Sequence, residues 1–314
     1  MVYQIENKHL WSIVLAGGEG ERLRPFVQRW LGVHKPKQYC TFIGSRSMFQ
    51  HTVDRADLLS SPYQRVTVIP KSHYREALAQ LVDRDAGELV VQPENRDTAA
   101  GIFLPLTHIR FRDPQAPVVI YPSDHFIYPE ERFVRVVEGA VRAVDLMSRY
   151  LILLAAAPDR IEPEYGWIEP GSSLGCIGEH GLHKVEVFVE KPSANLARQM
   201  MLKRGLWNTL ILTAKVETLW AMGWQCFPEM MQLFEQYGGA IGTSEEASVR
   251  EMVYQKMPSR NFSSHLLQRL PHGVVAMEMT SVHWCDWGRP QRIVETLQHI
   301  GKVPAFPLEH AIAV

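Results

Sequence analysis

Short runs of β-branched and aliphatic residues recur along the first half of the chain: Ser12 to Gly18, Val66 to Pro70, Glu88 to Pro93, Val118 to Asp124 and Leu151 to Pro158. Continuous apolar runs of this length suit strands buried on both faces, the state of a parallel sheet covered by helices above and below. Between them the spacing predicts helices over Met48 to Leu59, Ser72 to Val82, Thr98 to Phe111 and Glu130 to Met147. This rhythm specifies an α/β, doubly wound fold on a mostly parallel, mixed sheet, with right-handed crossovers.

After Pro158 the pattern changes. A Gly/Pro-rich loop is expected from Pro163 to Gly181, then strands at Val185 to Val189 and near Leu206 to Thr213, and a helical stretch from Lys215 to Tyr237. A helix over Asn261 to Leu270, a strand pair starting at Val274 and Val282, and a last helix from Arg289 complete the expectation. The 314 residues allow one large domain or two smaller ones. With no repeat and no low-complexity linker, a single domain is the reading, its first part about 10–158 and its second about 159–314.

Charge limits what such a fold can bind. The formal net charge is -1, with 33 Lys+Arg against 34 Asp+Glu, which argues against a general nucleic-acid binder or a polybasic membrane reader. Any anion must be held locally. Cys40, Cys176, Cys226 and Cys285 show no zinc-site spacing and read as reduced thiols. The opening MVYQIENKHLW lacks the pattern of a secretory leader, and the run Leu151 to Ala157 is too short to span a bilayer. The expectation is an unanchored cytoplasmic protein.

In open sheets, ligands bind beyond the carboxyl ends of the strands. There the chain places Gly17-Gly18-Glu19-Gly20-Glu21-Arg22, Gln92 to Arg96, Ser123-Asp124-His125 and Glu190-Lys191-Pro192. The Gly-rich turn, with Arg22, Arg24, Lys35 and Lys37 nearby, is either a structural turn or a nest of backbone N–H groups for phosphate. Neither the P-loop pattern nor G-x-G-x-x-G is met, which removes the dinucleotide fingerprint. Asp124 and Asp286 both follow apolar segments, so each is a helix cap or turn residue, or a ligand of an octahedral magnesium ion. His125 is read as structural rather than as a general base. Tyr165-Gly166-Trp167 is expected in an exposed loop, as a sugar-stacking surface or a loop anchor. Pro192 is expected to hold Lys191 in an extended conformation.

Together these motifs resemble the nucleotide-sugar pyrophosphorylases, and within them the mannose-1-phosphate guanylyltransferases. LAGGEGERLRP from Leu15 is similar to L-A-G-G-x-G-T-R-L-x-P, with Glu21 where Thr is usual. Pro36-Lys37-Gln38-Tyr39 resembles P-K-Q-[FY]; PENRDTAAGI, YPSDHFI, PDRIEPEYGWIEPG, FVEKP and Leu206-Trp207-Asn208 continue in the family's order up to about Gly288. Asp97 stands for Asn, Ala100 for Pro, Thr209-Leu210 for Ser-Gly, and the final W-x-D-x-G-S-W becomes Trp284 to Pro290.

The resemblance implies a Rossmann-like nucleotidyltransferase (GT-A-like) fold and the reaction of GTP with mannose 1-phosphate to give GDP-mannose and pyrophosphate. It implies a nucleotide-binding first part, a sugar-phosphate-binding second part and no appended β-helix or isomerase domain. Ala16, Gly17, Gly18, Gly20, Arg22 and Lys37 would bind nucleotide, with Arg22, Lys37, Asp124 and Lys191 as the catalytic set. Asp124 and Asp286 would hold Mg2+, while Gly166, Glu169, Lys191 and Asn208 would bind the sugar phosphate. Arg96 would be an added phosphate contact or a salt-bridge partner of Glu94 or Asp97. The substrates are the expected partners, with no nucleic acid and no membrane, and a homodimer is compatible. The rival readings are a pyrophosphorylase for another nucleotide or sugar, including the cytidylyltransferase of isoprenoid synthesis, and a catalytically silent nucleotide-sugar-binding subunit.

Overall fold

Residues 9–312 are described by the computed structural model of the chain. The leader-peptide expectation rests largely on residues 1–8, which lie outside that range. Strands β1 (Trp11–Leu15), β2 (Arg65–Pro70), β3 (Glu88–Gln92) and β4 (Pro117–Pro122) run parallel, and Ile13 lies level with Val66 on one side and Ile120 on the other. Successive residues face opposite layers. Ile13, Val66, Val118 and Ile120 enter one core cluster, whereas Val14, Ile69, Val119 and Tyr121 enter another. Both faces are dry, which explains the unbroken apolar runs.

The first layer is built on the helix Asp97–Arg112 with Val216–Cys226, Pro228–Gly238 and Glu246–Lys256. Met48–Asp57 and Glu130–Leu146 cover the other face. Ser47 starts Met48–Asp57 with a capping box: its hydroxyl accepts from the Gln50 N–H, and the Gln50 side chain accepts from the Ser47 N–H. A third cluster joins Phe26 of helix Arg24–Leu31 and Ile293 of helix Pro290–His299 to Phe42, Trp287 and Phe306.

The remaining strands are β5 (Phe126–Tyr128), β6 (Leu151–Ala156), β7 (Gly166–Ile177), β8 (His180–Glu190), β9 (Leu206–Lys215), β10 (Val274–Glu278) and β11 (His283–Cys285). One nine-stranded sheet has the order β3-β2-β1-β4-β9-β6-β10-β8-β7, so both halves of the chain share it. β6 and β10 are parallel, while β9 runs antiparallel to both β4 and β6.

Four expectations for the second half need correction. The segment expected as a loop is strand β7, hairpinned to β8; its Gly and Pro residues mark register shifts at Glu169/Pro170 and Ser173/Gly175 rather than an end to pairing. The stretch Lys215 to Tyr237 is two helices, Val216–Cys226 and Pro228–Gly238, because Pro228 has no N–H with which to continue the first. Asn261 to Leu270 contains a π-helical turn, Ser263–Leu267, in place of an α-helix. The runs from Val274 and Val282 do not pair with each other: β10 joins the main sheet and β11 pairs with β5. No helix among the described residues is long and apolar enough to cross a membrane, and all four thiols are free.

Candidate active site

The first strand ends in a turn that its neighbours hold open. The Ala16 N–H donates to the Val68 carbonyl (2.9 Å), and the Ser123 N–H and hydroxyl both donate to the Leu15 carbonyl (3.0 and 2.8 Å). Gln38, 1% exposed, donates through Nε2 to the carbonyls of Ala16 (3.2 Å) and Gly18 (2.8 Å). Its amide thereby fixes the glycine-rich loop from below. Gly20 has φ +67°, and a Cβ there would lie 2.8 Å from the Lys37 nitrogen, so backbone conformation and close approach both require glycine. Above the loop is a cavity of about 270 Å3 lined by Gly17, Gly18, Gln38, Gln92, Asp97 and Asp124. A larger cavity of about 410 Å3 shares only His125 with it and holds neither the loop nor either predicted metal ligand.

Lys37 draws the two distant acids together. Its ammonium, 5% exposed, pairs with Asp124 Oδ2 (2.8 Å) and donates to the Asp286 backbone carbonyl (2.5 Å). Asp286 Oδ1 accepts from the Tyr165 hydroxyl (2.7 Å), the Gly288 N–H (2.9 Å) and Arg292 (2.9 Å), and Oδ2 accepts from Arg22 (2.9 Å). Burial works to raise its pKa, but Lys37, the Tyr165 hydroxyl, Arg22 and Arg292 outweigh it and hold the carboxyl well below the usual range. Asp124 is also lowered, against burial, by Lys37 and His125. Asp286 caps no helix, since Arg289 occupies that position before Pro290–His299.

Arg292 is itself held by Glu162 and Glu164, and Arg22 also donates to Glu164 (3.1 Å). His125 accepts from the Trp284 indole through Nδ1 (3.3 Å), and burial lowers its pKa against the opposing pull of Asp124. Arg96 donates to Glu94 (2.6 Å), the salt bridge named as one of its alternatives.

Each acid keeps one lightly held carboxylate oxygen that could take part in holding a cation. Among the described residues, Asp124 Oδ1 has His125 at 3.6 Å as its only ion-pair neighbour, and Asp286 Oδ2 is held only by Arg22, whose side chain is 53% exposed.

The second half brings a further polar cluster together beside Tyr165. A Cβ on Gly166 would lie 2.7 Å from Glu190 Oε2 and 3.0 Å from Asn208 Cβ, so these three residues converge. Asn208 donates to the Ser263 hydroxyl (3.2 Å) and accepts from the Leu210 N–H (2.9 Å). Glu190 Oε2 is buried without a hydrogen-bond partner among the described residues, and burial raises that carboxyl's pKa. Glu169 is ion-paired with Lys203 (3.0 Å), away from this convergence on the opposite face of β7 from Gly166. Tyr165 and Trp167 are not exposed loop aromatics: they are 7% and 0% exposed, and the Trp167 indole donates to the Glu162 carbonyl (2.8 Å). Lys191 is not extended either. Its φ is +48°, with its N–H on the Tyr165 carbonyl (3.2 Å), and its exposed ammonium makes no hydrogen bond or ion pair among the described residues.

Sequence reasoning did not single out Glu190, Tyr165's hydroxyl, Arg292, Glu162, Glu164 or Gln38 for these positions. Glu190 had a signal, as a carboxylate ending a strand next to Lys191. Arg292 had none, because it reads as one more polar residue on a helix.

The nucleotidyl transferase family model matches residues 11–302, and the chain belongs to that family. Mannose-1-phosphate guanylyltransferase of Escherichia coli is 27% identical over 285 residues, which cover 89% of this chain and 60% of that protein. The Salmonella typhimurium mannose-1-phosphate guanylyltransferase RfbM is 26% identical over 286 residues, 88% of this chain and 56% of its own length. The chain thus spans about three fifths of the curated relatives it matches. A structure described as mannose-1-phosphate geranyltransferase from Thermus thermophilus superposes with a TM-score of 0.77 at 22% identity, covering 91% of this chain and 79% of the other. A UDP-glucose pyrophosphorylase complexed with UDP-glucose gives 0.55 at 13% identity, covering 92% and 97%. At these identities the structures speak for the fold, a Rossmann-like nucleotidyltransferase sheet.

Proposed function

We propose that this member of the nucleotidyl transferase family joins a nucleoside triphosphate to a hexose 1-phosphate, with GTP and mannose 1-phosphate as substrates, releasing pyrophosphate and forming GDP-mannose. The observation that carries the reading is the meeting of Lys37, Arg22, Asp124 and Asp286 beside the glycine-rich loop, with Gly166, Glu190 and Asn208 converging one residue beyond Tyr165. The likeness to curated guanylyltransferases supports the choice of substrates.

In the proposed reaction an oxygen of the sugar phosphate bonds to the α-phosphorus, the bond from that phosphorus to the bridging oxygen breaks, and pyrophosphate leaves in line. A phosphate monoester is mostly dianionic at neutral pH because its second pKa is about 6, so no general base is needed. His125, whose Nδ1 is occupied by the Trp284 indole, is consistent with that. The work left for the protein is positioning and charge neutralisation.

Backbone groups of Ala16, Gly17, Gly18 and Gly20 would cradle the nucleotide, and Arg22 would leave Glu164 and Asp286 for the phosphates. Lys37 would neutralise the charge that develops as pyrophosphate departs. Magnesium held by Asp124 and Asp286 would supply charge neutralisation at the α-phosphate. Glu190 and Asn208 offer an acceptor and a donor for sugar hydroxyls, and the uncommitted Lys191 ammonium would meet the sugar phosphate.

The test is pyrophosphate release with magnesium across the common nucleoside triphosphates and hexose 1-phosphates. GTP with mannose 1-phosphate should turn over fastest. A higher rate with UTP, dTTP or ATP overturns the nucleotide assignment, and no turnover with any pair identifies a silent binding subunit.

A further inference from the structure

The glycine-rich loop carries two acids, Glu19 and Glu21, on either side of Gly20. Two carboxylates in a loop that receives a triphosphate repel it unless a cation stands between them. The structure provides the remaining part of such a site. One ligand atom each from Glu19, Glu21 and His34 lie within 4.8 Å of one another. His34 Nδ1 is buried and has no hydrogen-bond partner among the described residues, so no protein group satisfies that imidazole nitrogen. Behind Glu19 stands His73, 5% exposed, whose Nε2 lies 3.4 Å from Glu19 Oε2 and whose Nδ1 is also buried without such a partner. A buried histidine behind a ligating carboxylate orients that ligand, as hydrogen-bonding neighbours do in metal centres. The competing contact is weak: Glu21 meets Arg24 at 3.1 Å, with the two side chains 62% and 45% exposed.

We propose that Glu19, Glu21 and His34 form a second divalent-cation site, separate from Asp124 and Asp286, that selects a first-row transition ion such as zinc. An imidazole with two carboxylates favours zinc over magnesium, which prefers an all-oxygen octahedral shell. The ion ties the loop to the segment His34 to Lys37 and cancels the two negative charges flanking Gly20. Its open coordination positions are available to the β- and γ-phosphates; this last role rests on the proposed nucleotidyl transfer, whereas the metal site itself does not.

The experiment is zinc binding to the whole chain, without nucleotide and in excess magnesium, followed by competition with a chromophoric chelator. The wild type should bind one zinc ion that His34→Gln and Glu21→Thr each weaken at least tenfold, with thermal unfolding unchanged in both variants. Glu21→Thr changes an exposed side chain, so it remains informative if His34→Gln perturbs folding. Absence of zinc binding in the wild type, or equal binding in all three proteins, overturns the site. Zinc should also tighten GTP binding to the wild type and not to His34→Gln. Bound zinc with unchanged GTP affinity overturns the phosphate role, and the magnesium turnover assay is scored independently of either result.

Discussion

Lys37 is a charge that its surroundings tolerate only because two acidic residues meet it. Replacing it with Met removes the cation from Asp124 and from the Asp286 carbonyl. Because Asp124 is 37% exposed, the stability loss should be on the order of 1–3 kcal/mol, below that of a fully buried pair. Turnover should fall by roughly a hundredfold or more, as expected when a group that stabilises developing charge is lost. Denaturant unfolding and pyrophosphate release measure the two effects, and near wild-type kcat in Lys37→Met would remove Lys37 from the mechanism. Lys191 predicts a different signature. A charge-assisted hydrogen bond to phosphate contributes about 1.5–3 kcal/mol, so Lys191→Met should raise the hexose phosphate KM roughly ten- to a hundredfold and leave the GTP KM nearly unchanged. An unchanged hexose phosphate KM with unchanged kcat returns Lys191 to the solvated surface. At this scale the sequence was informative where charge sat against an apolar run, as at Asp124 and Asp286. It was silent on Arg292 and Glu162, whose pairing depends on a turn and a helix 130 residues apart in sequence.

Strands buried on both faces announced themselves by unbroken apolar runs, whereas β7 did not. β7 is buried only at its first residues, and its outer half is solvated, so its pattern matches a loop until β8 is seen beside it. The close contact between helices Val216–Cys226 and Asp97–Arg112 was equally invisible, because it depends on an absent side chain. A Cβ on Gly223 would lie 2.7 Å from the Phe103 ring and 2.7 Å from the Met231 sulfur. Gly223→Ala gains about 1 kcal/mol of helix propensity but forces these buried groups apart, an overpacking cost of about 1–3 kcal/mol. The expected net effect is a lower Tm with unchanged substrate KM values, and a raised Tm would show that the helices separate freely. Gly166→Ala should do the reverse. Its added methyl meets Glu190 and Asn208, so sugar-phosphate KM should rise while nucleotide binding holds; equal effects on both substrates would dissociate Gly166 from the proposed sugar-binding role.

Across the whole molecule, a buried histidine, His180, and a half-buried one, His283, link folding to pH. Burial lowers the pKa of His180 and His283 below the ordinary 6.5, against the opposing pull of Glu179 and Asp159. The unfolded chain therefore takes up protons first as pH drops below about 6.5, and stability falls from there toward the folded-state pKa values, by at most about 1.4 kcal/mol per pH unit for each histidine. Thermal unfolding between pH 7.5 and 5.5 should show that slope, reduced in His180→Gln; an unchanged slope in the variant would acquit His180.

The position of β9 has a further consequence, for the chain as it is made. β4 and β6 flank a strand position that only β9 fills, and Leu206 follows Ala156 by about 50 residues. A nascent chain emerging at about 5–20 residues per second would hold two unpaired apolar strand edges for roughly 3–10 s before their partner leaves the ribosome. During that interval the edges are open to a neighbouring nascent chain. Stalled or prematurely released products ending before Leu206 should accordingly depend on chaperones and collect in aggregates, while the full-length protein does not.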